Sequence, residues 1–175
     1  KSSNVLEGSL WYHFKSKKNL LIEHLKLFES SFETSIENLK VGNKEIVIQK
    51  LFSIYGFVWD FRYIFRDSFE AYEKDDKEFA ELIKKTNALL DELVEDVLKY
   101  SVEIKILEVD GKEQNEIGEL ILIIGKHWLD YSRKKYPDDS NHLLQKRGIN
   151  LLIKVLYPYL TNDSKEIMDS IYESV

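Results

Sequence analysis

All-α is the fold class the sequence predicts, and three observations carry it. The 175 residues hold only two prolines and seven glycines, the residues that most often interrupt a helix. Leu, Ile, Lys and Glu are abundant. Apolar residues also recur at every third or fourth position in one segment after another. With 43% hydrophobic and 32% charged residues, the chain can bury a sizeable core without staples, as one domain or one and a half. It has no cysteine, which removes disulfide scaffolds and cysteine-based zinc sites and suits a cytoplasmic setting. No apolar run is long enough to span a bilayer and no signal-peptide pattern stands at the start, so no membrane role is expected.

The first stretch, Gly8 to Leu21, reads GSLWYHFKSKKNLL: a short helix, a break and the start of a long helix. Leu10 and Phe14 are four apart and share a face that can dock on a small core. Trp11, Tyr12 and His13 fan out over the remaining surface. Ser16 stands in an N-cap position for the next helix, among Lys15, Lys17 and Lys18. Aromatic and hydroxyl groups beside a lysine cluster suit a phosphate backbone, which takes charge and hydrogen-bond donors together. The plainer reading is an amphipathic helix with a lysine-rich end. Charge is distributed unevenly: residues 1–18 carry four lysines against one glutamate, a net +3, which leaves −9 of the total −6 for the remainder. A small basic head on an acidic body is the expected layout of a DNA reader with a separate regulatory part.

Taken in order, Gly-Ser-Leu-Trp-Tyr-His-Phe-Lys-Ser-Lys followed by Asn19-Leu20-Leu21 closely resembles the recognition helix and helix-4 junction of the TetR family of bacterial transcriptional regulators. The resemblance implies that Ser9, Trp11, Tyr12, His13, Lys15, Lys17 and Lys18 meet DNA. The small residue and the aromatic pair would lie in the major groove or against phosphates, and Lys17 would contact the backbone from the next helix. Trp11 stands where the family more often has tyrosine, and its indole N–H can donate to the same phosphate oxygen. A helix-turn-helix needs a first helix as a brace, and only seven residues precede Gly8. Residues 1–16 are therefore expected to be a remnant of the DNA-binding head, and 17–175 a helical ligand-binding and dimerisation domain.

From Lys17 to about Leu39, Leu21, Leu25, Phe28, Phe32, Ile36 and Leu39 step by three or four, one amphipathic helix that Val41-Gly42-Asn43 ends. By the resemblance it transmits ligand-driven movement to the heads. Residues 44–73 are the most aromatic part. Between Leu51 and Phe69 apolar groups occupy every face, so this helix is expected to be buried or to line a cavity, with Asp60, Arg62, Arg66 and Asp67 placed to pair along it. The segment WDFRYIFRDSFEAYEKDDKEF resembles a pattern in one TetR subgroup, where it contributes to the ligand-binding domain. After the charged break Lys74–Lys77, the stripe Phe79, Leu82, Ile83, Thr86, Leu90, Leu93, Val97, Ile104 predicts another helix. Glu92, Glu95 and Asp96 on its other side read as a solvated face rather than a metal site. Val109-Asp110-Gly111-Lys112 is a turn by composition. Helices near 115–135 and 140–160 follow. Both carry more apolar surface than one buried face needs, which suggests a partner helix. The pair matches the four-helix dimer bundle of the TetR family, and Ile121, Ile124, Gly148, Leu151, Leu152 and Val155 are its expected interface. Pro158 should kink or end the second helix. Asn162, Asp163 and Ser164 can cap a last one, with Ile167, Met168, Ile171 and Tyr172 packing.

The rings Phe57, Trp59, Phe61, Tyr63 and Phe65 on one segment, with Trp128 and Tyr131 on another, exceed what a tight helical core requires. They predict an aromatic-lined pocket for a hydrophobic or aromatic effector, oriented by Asn87 and His127. Plain core packing is the other reading of each ring, and a satisfied core histidine that of His127. Asp139 and His142 have metal-ligand spacing only once and read as a helix start. There is no phosphate loop, nucleophile elbow or di-iron motif, so neither an enzyme nor a cofactor or metal site is expected. The leading expectation is a homodimeric repressor that binds a double-stranded operator through its complete head and is released by a small molecule. The alternative is an all-helical ligand-binding or interaction module with no DNA role.

Overall fold

The computed structural model describes residues 14–37, 42–65, 74 and 76–174, and these form an all-α fold. Its helices are α1 (Lys17–Glu37), α2 (Lys44–Asp60), α3 (Lys77–Glu103), α4 (Gly111–Lys135), α5 (Asn141–Leu156) and α6 (Asn162–Ser174), with single 3₁₀ turns at Arg62–Phe65 and Tyr157–Tyr159. α1 packs on α3, α3 on α4 and α4 on α5, while α2 lies against α4, α5 and α6.

Each start has a chemical cause. Ser16 Oγ accepts from Asn19 N at 3.1 Å and opens α1. Asn43 caps α2 through Ile46 N at 3.0 Å, and Asp76 caps α3 through Phe79 N at 3.1 Å. Asp110 accepts from Lys112 N and Glu113 N at 2.9 and 2.8 Å. That double cap starts α4 at Gly111, four residues ahead of the expected boundary. Ser140 caps α5 through Leu143 N. α6 begins at Asn162, with Thr161 hydrogen-bonded ahead of it to Asp163 and Ser164. Those two residues therefore belong to the first turn rather than to the cap.

The aromatic helix is shorter than periodicity predicts. α2 ends at Asp60 with Phe61 as its C-cap, and Arg62–Phe65 turn as 3₁₀. Arg62 is drawn back, its guanidinium donating to Trp59 O at 2.8 Å and stacking 5.0 Å from the Trp59 ring. It thus bonds to a carbonyl, and Asp60 is exposed. Arg66 and Asp67 lie outside the described residues, as does the rest of the stretch to 73. The final turn of the 140–160 segment is likewise 3₁₀, carrying Pro158.

α3 ends on a paired set of reverse hydrogen bonds, Ile106 N to Ser101 O at 2.7 Å and Lys105 N to Val102 O at 3.0 Å. The geometry is that of a Schellman stop, which wants a left-handed residue at the position of Lys105. Lys105 has φ +57°. Its carbonyl accepts from Lys44 Nζ at 2.7 Å and Thr161 Oγ1 at 2.9 Å, and its side chain is exposed. Lys44 also donates to Asp163 at 2.6 Å, which holds that carboxyl at about 2. A left-handed non-glycine residue costs about 1–2 kcal/mol, so Lys105→Gly should stabilise the protein by roughly 1 kcal/mol after glycine's extra chain entropy is offset. A denaturant midpoint that falls instead would mean the lysine side chain is needed at this stop.

Three apolar clusters fill the interior. The first joins α1, the 3₁₀ turn at 62–65 and α3 around Phe28 and Phe32. The second joins α2, the end of α3, Ile106, Leu107, Leu160 and α6. An isolated antiparallel bridge between Leu107 and Leu160 locks it. The third sets Tyr55 and Trp59 against Leu129 and Leu144.

Candidate functional site

At the N-terminal end, Ser9, Trp11, Tyr12 and His13 lie outside the described residues. Lys15 and Lys17 are exposed at the start of α1. Lys18 is engaged elsewhere: its ammonium donates to Asp76, the residue that caps α3. The pairing raises the Lys18 pKa and lowers that of Asp76, the shared hydrogen bond being the main cause of both shifts. Two more contacts continue along the same pair of helices. Lys26 reaches Glu78 at 4.0 Å. Glu29, buried, takes Lys85 Nζ at 2.8 Å, with Thr86 Oγ1 at 3.5 Å. α1 is therefore tied to α3 from its first turn to its middle.

The structure does not gather the expected aromatic set around a void. Phe57, Phe61 and Phe65 surround Phe28, with centroids 5.3, 5.4 and 5.6 Å away. Tyr63 turns toward α1, its hydroxyl 2.7 Å from His24 Nδ1. Burial lowers the His24 pKa and raises that of Tyr63. Trp59 is buried beside Tyr55. Asn87 is half-buried on α3, and His127 and Tyr131 are exposed on α4. Trp128 is fixed by its indole N–H, which donates to Leu144 O at 2.9 Å. For the three phenylalanines the physical reason is α1, whose Phe28 and Phe32 supply the ring surface they pack against.

A cavity of about 160 Å³ lies instead between α2, α3, α4 and α5, with Ile106, Leu107, Leu160 and Met168 also in its wall. Ile48, Leu51, Phe52, Ile54, Tyr55 and Val58 line it from α2, and Leu90, Leu93, Val94, Val97, Leu98 and Ser101 from α3. α4 adds Ile121, Leu122, Gly125 and the stem of Lys126, whose ammonium reaches Asp91 at 3.2 Å. α5 adds Ile149, Leu152, Ile153 and Leu156. Walls so apolar exclude water and favour apolar guests. Tyr55 is the exception in chemistry: its hydroxyl is buried with no hydrogen-bond partner, and burial pushes its pKa up. Gly148 lies against it. A Cβ there would come within 2.7 Å of Trp128 and collide with the Tyr55 hydroxyl, so glycine is required.

Of the residues expected at a dimer interface, Ile121 and Leu152 line the cavity. Gly148 is buried, and Ile124, Leu151 and Val155 are half-buried. The outward surface of α4 is carried by Leu120, Ile123 and Tyr131, 46, 55 and 54% exposed. Leu143 on α5 is exposed too. Sequence reasoning missed most of the cavity because α2 is apolar on several faces. The aliphatic stripe Leu90–Leu93–Val97 was legible, but as core. Asp139 pairs with Arg147 at 2.8 Å, and Glu95 with Lys99 at 2.6 Å. Among the described residues no three His, Cys, Asp or Glu side chains converge as metal ligands, and no helix is long and apolar enough to cross a membrane.

Residues 27–168 match a family model described as TetR, bacterial transcriptional repressor. No curated protein and no solved structure gave a match. The matched span is the helical body, so it is independent of the motif at residues 8–21.

Proposed function

We propose a ligand-responsive regulator's role for this chain, which belongs to the TetR family of bacterial transcriptional repressors. Residues 1–16 are read as the end of its DNA-binding head and 17–175 as its ligand-binding and dimerising body. The observation that carries the reading is that α3 does two things: it lines the cavity from Leu90 to Ser101, and it is clamped to α1 by Lys18–Asp76 and Lys85–Glu29. A guest that fits the cavity better in one α3 position than another shifts the population of α1 positions by that difference in affinity. Because α1 follows directly from the head motif, the shift reaches the DNA-reading surface. A small hydrophobic effector thus releases a repressor from its double-stranded operator. Ser9, Trp11, Tyr12, His13, Lys15 and Lys17 remain the proposed DNA contacts, and Lys18 is assigned to the clamp.

The test is operator binding by the complete protein, head included. Affinity should fall steeply with salt. Lys17→Ala should lower the slope of log K against log salt by about one, with similar losses on specific and unrelated DNA. A loss confined to the specific operator would assign Lys17 to base reading instead.

A palindromic operator needs two heads, and a two-fold dimer supplies them. Leu120, Ile123 and Tyr131 form an outward stripe on α4 suited to a second copy, beside Leu143 on α5. Leu120→Glu combined with Ile123→Glu should give monomers in sedimentation. A persisting dimer would move the interface away from α4.

A further inference from the structure

We propose that the effector is a short aliphatic amphiphile, its hydrocarbon chain in the main cavity and an uncharged hydrogen-bonding end group in a side compartment beside Asn150. The inference rests on the ligand-responsive reading above and specifies the guest. Branched aliphatic side chains, most of them from α2, α3, α4 and α5, form the greater part of the main wall, with Phe52 and Tyr55 the rings among its lining residues. A flat aromatic guest gains its extra stabilisation from ring partners in offset or edge-on geometry, and this wall offers few. A flexible chain follows an irregular aliphatic wall with less loss of contact. The volume, about 160 Å³, is close to that of a void known to hold benzene, which limits the guest to about six to eight carbons.

A second compartment adjoins the first. Phe52 and Ile149 line both, so the two compartments are neighbours. Beyond those two side chains the lining is Ile171 with His142, Gln145, Lys146 and Asn150, and no carboxylate is among its lining residues. The four polar residues share one face of α5, at spacings of three, four and eight. Asn150 Oδ1 is buried there without a hydrogen-bond partner. A buried acceptor of this kind calls for a donor, while Gln145, His142 and Lys146 bring donors that call for an acceptor. A primary amide or a hydroxyl supplies both. An ionised carboxylate supplies acceptors only and leaves Asn150 Oδ1 unpaired.

Calorimetric titration of the protein with hexanamide, octanamide, octanoate and toluene tests this. Each added methylene buried in an apolar wall tightens binding about fourfold, so octanamide should bind roughly fifteenfold tighter than hexanamide. It should also bind about tenfold tighter than octanoate. Asn150→Leu should weaken octanamide about tenfold and leave toluene unchanged. Gln145→Leu, half-buried in the same compartment, should also weaken octanamide, and it carries the test if the Asn150 variant fails to fold. Toluene binding as tightly as octanamide, octanoate binding tighter than octanamide, or variants that leave octanamide unaffected would each overturn the amphiphile while leaving the cavity a ligand site. If none of the four probes binds, the reading that this cavity holds the effector falls as well.

Discussion

Phe28→Ala is expected to remove about 3–5 kcal/mol of folding stability, a large part of the roughly 5–15 kcal/mol a domain of this kind possesses. Phe28 is 0% exposed and sits at the centre of a ring cage. Phe32 stacks on it at 5.0 Å, Phe57 at 5.3 Å, and Phe61 and Phe65 meet it edge-on. Truncation loses the transfer energy of the ring and leaves a void, because the four neighbours come from three separate elements and cannot all collapse inward. Ring pairs add about 0.5–1.5 kcal/mol each beyond area burial, which places the expected value toward the upper end. Urea unfolding should show a lower midpoint with an unchanged slope. Phe28→Leu, which keeps most of the volume, should cost much less. His127→Ala, on an exposed position, should change stability by less than about 0.5 kcal/mol. If Phe28→Ala costs no more than His127→Ala, the cage is not what attaches α1 to the body.

The ring cage also shows where sequence reading succeeds and where it stops. The stripe Leu21–Leu25–Phe28–Phe32 is a period signal and gave α1 its buried face, since a 3.6-residue repeat needs only local chain geometry. Caps at Ser16 and turn chemistry at Asp110 are local for the same reason. Periodicity has no power over a segment that is apolar all round. Nothing in the sequence of α2 separates Phe57, which faces Phe28, from Tyr55 and Val58, which face the cavity, because both sets are apolar and only one or two residues apart. Which neighbour each face receives depends on the crossing of α1 and α5 over α2, a long-range property. The charge pattern fails at Lys18 in the same way. A lysine cluster beside aromatic residues reads as a phosphate site, and only the fold brings Asp76, fifty-eight residues later, against one member of it. Family membership was legible at the head motif, and the match to residues 27–168 reaches the same conclusion from the body.

Filling the cavity should separate DNA binding from its release. The space of about 160 Å³ leaves apolar lining atoms without partners on one side. A closely packed alternative would be more stable, so the cavity carries a cost that only a guest offsets. Val97→Phe on α3 places a ring into that space from a half-buried position. Overpacking costs about 1–3 kcal/mol, comparable to what the filled volume returns, so the melting temperature should move little in either direction. Ligand affinity has no such compensation. A guest excluded from the void loses nearly all its apolar contact, and the affinity of toluene or octanamide should fall at least about a hundredfold, close to 3 kcal/mol. Operator binding by the complete protein should survive, because the ring is remote from Lys15 and Lys17 and leaves the Lys18–Asp76 clamp in place. The variant would then be a repressor that holds DNA and no longer lets go. Ile121→Phe, reaching the same space from α4, should behave alike and guards against a folding defect peculiar to α3. Release by effector persisting in both variants would place the effector outside this cavity.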